Sequence, residues 1–157
     1  MARKFMMLLL LIMVPATVQA AERPINLSLV TPIQIFPDSD SIVGFRFSLL
    51  YGRNANFTGL DLGLCNHTTG SFKGVQFGLV GIAENGFLGW QDNFINVTGG
   101  KMEGLQVGAV NYAEHARGVQ FGLVNYAGTI SGIQIGIVNI IRKGGMLPVM
   151  VIFNGSF

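Results

Sequence analysis

Cys65 and His67 are the two residues whose types could do chemistry together. They lie two positions apart, so in a strand they share a face, and a thiol beside an imidazole is the start of a nucleophile and its base. Neither an acid to orient the imidazole nor an oxyanion loop accompanies them. Cys65 stands where other repeats carry Val, Ile or Leu, so it reads as a small buried hydrophobe. As the single cysteine it cannot build an internal disulfide framework. His67 and His115 both fall in expected turns, and no spacing of His, Cys, Asp or Glu suits a metal.

Arg46 and Asp61 occupy one repeat position in two copies and form a candidate interior pair. Neutral Gln holds that position elsewhere, so the pair reads as structural rather than catalytic. Gly99-Gly100-Lys101 lacks the G-x-x-x-x-G-K-[ST] pattern and a following helix, and reads as a turn. N-x-[ST] triplets at Asn26, Asn56, Asn66, Asn96 and Asn154 mostly follow from a repeat Asn before turn residues, and predict no glycans. The expectation is a chain with no catalytic, cofactor-binding or metal site, and not an enzyme.

The elements that must carry these residues are tandem repeats. Gly104, Gly118 and Gly132 open GLQVGAVN, GVQFGLVN and GIQIGIVN at 14-residue spacing. At 15-residue spacing before them, Gly89, Gly74, Gly59 and Gly44 open GWQDNFIN, GVQFGLVG, GLDLGLCN and the divergent GFRFSLLY. The structural repeat positions are thus Gly59, Gly74, Gly89, Gly104, Gly118 and Gly132; Gln76, Gln91, Gln106, Gln120 and Gln134; and Asn66, Asn96, Asn111, Asn125 and Asn139. Within a copy, apolar residues alternate with polar or small ones, as in Val119, Phe121 and Leu123 against Gln120 and Gly122. That period of two predicts a strand with one apolar and one small, polar face. Thr69-Gly70, Glu84-Asn85-Gly86, Gly99-Gly100, Ala127-Gly128 and Lys143-Gly144-Gly145 supply turn residues between copies. INLSLVTPIQIF (Ile25 to Phe36) and LPVMVIFN (Leu147 to Asn154) predict strands at the two ends.

Residues 1–20 have the parts of a secretory signal peptide: Arg3 and Lys4, an apolar run from Phe5 to Val14, and small-residue punctuation at Val18-Gln19-Ala20. The run is too short for a spanning helix. Removing it takes away two bases and no acid, which leaves eight of each sign in residues 21–157, a single β-repeat domain. A neutral chain gives no reason to expect a nucleic-acid partner.

Two architectures accommodate one strand and one turn per repeat. The preferred one is a small antiparallel up-and-down β-barrel crossing an outer membrane, because the chain is exported, its strands number roughly eight or nine, and its last residues alternate up to an aromatic, Phe157. On that reading the Gln face lines the interior, Phe157 is a candidate assembly signal, and the partners are outer-membrane lipid and the outer-membrane assembly machinery. The alternative is a soluble periplasmic or secreted β-solenoid, or an open repeat sheet, whose coils stack Gln and Asn into ladders and bury the apolar face. Short apolar runs, inward glycines and loops of equal length favour it. Either way the role is structural or binding, with a protein or glycan ligand that these residues do not specify.

The copies GLQVGAVN, GVQFGLVN and GIQIGIVN resemble a family of uncharacterised bacterial surface-repeat proteins with tandem G-[LVI]-Q-[LVI]-G-[LVI]-[VI]-N units, over residues 28 to 157. The resemblance implies a surface or outer-membrane location in a two-membrane envelope, and brings no activity or functional residues. Gly89 to Asn96 departs from the unit, with Asp92 and Asn93 replacing an apolar residue and a glycine, which predicts a bulge or an exposed rim there.

Overall fold

Glycine every few residues removes any helical stripe and leaves extended backbone that must find partners in its own repeats. The computed structural model describes residues 21–157; the signal-peptide expectation falls on residues 1–20, outside them. The strands are β1 (Glu22–Val30), β2 (Ile33–Gln34), β3 (Ser41–Asn54), β4 (Phe57–Thr68), β5 (Ser71–Ala83), β6 (Gly86–Lys143) and β7 (Val149–Ser156). β6 is extended backbone wound through about four repeats.

Repeat lies on repeat in parallel. β3 pairs with β4, β4 with β5 and β5 with β6, setting Gly44 beside Gly59, Gly59 beside Gly74, and Gly74 beside Gly89. The chain is therefore a β-solenoid of short coils, and the expected antiparallel barrel is overturned. A barrel meander would pair neighbours antiparallel and close first strand on last, whereas here β2 and β7 lie at opposite edges of one sheet order. Only the caps, β2 on β1 and β7 on β6, pair antiparallel.

The outer-membrane assignment falls with the barrel, and so do the lipid and assembly-machinery partners. A spanning barrel needs an apolar band around its whole circumference. Here one side of the stack carries charge in coil after coil, at Lys73, Glu84, Lys101, Glu103, Glu114 and Arg117. Phe157 has no barrel seam to join and projects, 96% exposed, beyond β7.

Four positions per coil point inward. One is filled by Phe57, Phe72, Phe87, Met102, Ala116 and Ile130 in turn; a second by Arg46, Asp61 and the repeat glutamines; a third mainly by the repeat asparagines; a fourth by Thr68, Ala83, Thr98, Ala113, Ala127 and Ile141. The three phenylalanines stack at centroid separations of 4.9 and 4.7 Å. The first position narrows to Ala116 in the first 14-residue coil and widens again to Ile130 in the next.

The interior is thus largely polar and the repeat's apolar face lies outside, the reverse of the burial expected for a solenoid. A coil of 14 or 15 residues encloses too little width for facing rows of branched aliphatics. Slim amides fit, and they bond from coil to coil at the strand spacing of about 4.8 Å. Asp92 and Asn93 make neither bulge nor rim, since they pair without a register shift beside Phe77 and Gly78. The expected turns at Gly99-Gly100 and Ala127-Gly128 are extended backbone inside β6, and His67 and His115 lie in strands rather than turns.

Candidate functional site

A buried amide left without a partner costs about 1–3 kcal/mol, which favours ladders that run from coil to coil without a break. The glutamine ladder is unbroken, and it has a direction. The Nε2 of Gln134 donates to Gln120, Gln120 to Gln106, Gln106 to Gln91 and Gln91 to Gln76, over 2.7–3.0 Å. Gln76 then donates to Asp61 Oδ2 at 2.9 Å. Asp61, which only accepts, meets Arg46, which only donates, through Nε at 2.7 Å and Nη2 at 2.6 Å. Both side chains are fully buried, and the guanidinium also lies 5.0 Å from the Phe57 ring centroid. The pair converts the ladder's last donor into a bidentate ion pair at the N-terminal end of the stack.

The asparagine ladder runs the other way. Asn96 Nδ2 donates to Asn111, Asn111 to Asn125 and Asn125 to Asn139, at 2.7–2.8 Å. The same nitrogens bond backbone carbonyls where the coil bends, Asn66 to Phe77 and Asn111 to Phe121, for example. Gly81 interrupts this row, and Asn93 from the next coil fills its place, donating to Gln76 Oε1 at 3.1 Å and Asn96 Oδ1 at 2.8 Å. A Cβ on Gly81 would collide with both Gln76 and Asn93.

These ladders hold the outer surface. Around the bend, Leu49, Leu64, Leu79, Phe94, Leu123 and Ile137 stand in one row, each about half exposed or more. Beside it runs a second row with Phe47, Leu62, Phe77, Val107, Phe121 and Ile135, broken at one position by Asp92. Between the rows are shallow apolar hollows, one of about 360 Å³ over Leu64 and Phe77 and one of about 440 Å³ over Phe94 and Phe121. Leu27, Leu29 and Ile33 extend the surface at the first coil through a hollow of about 470 Å³. Monomers rarely expose contiguous apolar patches of more than a few hundred Å². This face is the candidate site.

Cys65 and His67 form no dyad. Both ring nitrogens of His67 are engaged, Nδ1 with the Tyr51 hydroxyl and Nε2 with Glu84 Oε1, each at 2.7 Å. Tyr51, His67 and Glu84 come from three successive coils, and no sequence spacing announced the chain they form. Burial pushes the Tyr51 phenol above its ordinary range, which disfavours the phenolate that nucleophilic or base chemistry would need. Elsewhere on the surface, Tyr112 stacks on Tyr126 at 5.0 Å and donates to Glu114, whose carboxylate raises the Tyr112 phenol. Lys101, bonded to Glu103, holds that carboxyl low. Among the described residues no group of three His, Cys, Asp or Glu could hold a metal ion.

No protein-family model matches this chain, and no curated protein or solved structure matches it either.

Proposed function

We propose that the chain is an exported, non-enzymatic binding module of the periplasm or the exterior, a rigid β-solenoid that presents its outer apolar face to another protein. The observation that supports this reading most is the inversion of polarity: side chains that could pack a core stand outside in rows, on a backbone fixed from within by amide ladders. A row repeating every ~4.8 Å with hollows between is a preorganised surface, so its partner meets little ordering cost on the module's side. Aromatic side chains at its middle, Phe77, Phe94 and Phe121, are of the type that anchors protein interfaces.

The test is site-specific photocrosslinking of the full chain in a two-membrane bacterium, with the photoreactive residue at Leu79, Phe94 or, on the charged side, Lys73. The expected result is recovery from periplasm or medium without detergent, with a discrete protein adduct from Leu79 and Phe94 and none from Lys73. Equal labelling from all three positions, or recovery only with outer membrane, would overturn the reading.

A further inference from the structure

The two ends of the stack are built differently. At the first, residues 31–40 fold back over β1: β2 pairs with it, Ile35 N donates to Leu27 O at 3.1 Å, and Arg23 pairs with Asp40 at 2.9 Å. Pro24, Glu22 and Arg23 further blunt that edge, as prolines and charges do on natural edge strands. At the last, β7 is the edge strand. The connector before it covers only one part, where Met146 N donates to Gly155 O and Asn154 Nδ2 donates to Leu147 O. Among the described residues, the outer backbone edge from Val149 to Phe153 meets no other segment.

No charged side chain occurs from Gly144 to Phe157. Val151 is 69% exposed and Ile152 is 74% exposed with φ +70, a conformation a β-branched residue adopts at a cost. We propose that this edge pairs with the same edge of a second copy, β7 against β7 in antiparallel register about a two-fold axis. Antiparallel pairing is self-complementary, since residue i faces j and j faces i, and a chargeless edge meets its twin without repulsion. The first end presents only the two-residue β2 as its edge, too short a template for a further strand, so assembly closes at two copies instead of growing into a fibre. The pair also joins two apolar faces end to end. This inference does not depend on the proposed function.

Light scattering after gel filtration of residues 21–157 should give twice the chain's mass, diluting to monomer. Val151→Lys should be monomeric at the same concentration with unchanged circular dichroism, Val151→Thr should remain dimeric, and Leu79→Lys on the lateral face should also remain dimeric. A nitroxide at Val151 in a Cys65→Ala chain should report one short distance between copies. Monomer at every concentration, a dimer indifferent to Val151→Lys, or open-ended filaments would each overturn the proposal.

Discussion

At the residue scale, Asp61 is the counter-charge of the buried Arg46 and the acceptor for Gln76. Asp61→Asn leaves Arg46 a buried cation without its counter-charge and should lower stability by about 3–5 kcal/mol in urea unfolding. Replacing both with the residue the ladder uses elsewhere, Arg46→Gln with Asp61→Gln, should recover most of that loss. Asn93 offers a second cycle. Asn93→Gly should cost about 1–3 kcal/mol through the lost bonds to Gln76 and Asn96, and Gly81→Asn alone should crowd the same space. The two changes together restore the regular pattern, and should be less harmful than their sum. Tyr51 gives a pH signature. Its folded pKa lies above the unfolded value, so its contribution is complete below about pH 10 and is lost as pH rises through the folded value. Unfolding curves at rising alkaline pH should show that decline, and Tyr51→Phe should lessen it.

At the element scale, each coil turns at a glycine that nothing else can replace. Gly118 has φ +132, and a Cβ there would strike the carbonyl of Gly104 in the coil below. Gly118→Ala should therefore cost about 3 kcal/mol or more, through strain and displacement of two coils. Gly144, with φ +79 and open space around it, should tolerate alanine at about 1–2 kcal/mol. Thermal unfolding of the two variants checks the contrast. The strands, their period and the equivalence of Arg46 with Asp61 were legible in the sequence, because alternation and spacing are local. The direction of pairing was not. A period of two is the same in a meander and in a coil, and glycines that turn a corner at positive φ resemble hairpin glycines. The compensation of Gly81 by Asn93 joins unequal positions of different coils, so no motif contains it.

At the scale of the whole molecule, the period-two pattern predicts the Gln face inside for a barrel and the apolar face inside for a solenoid. The molecule combines the solenoid's winding with the barrel's polarity. What decides this is the width enclosed by a short coil, a property that appears only once repeats are wound on one another. Contacts then run only between neighbouring coils, with special arrangements at each end, as in other linear repeat folds. Spin labels at equivalent outer positions, Leu64 with Leu123 and Leu64 with Ile137, measure the winding directly when labelled Cys65→Ala chains are diluted into unlabelled ones. A stack predicts separations of about 19 Å over four coils and about 24 Å over five, rising by one strand spacing per coil. A distance that passes a maximum and falls between the fourth and fifth repeat would show a closed ring, and would contradict the solenoid.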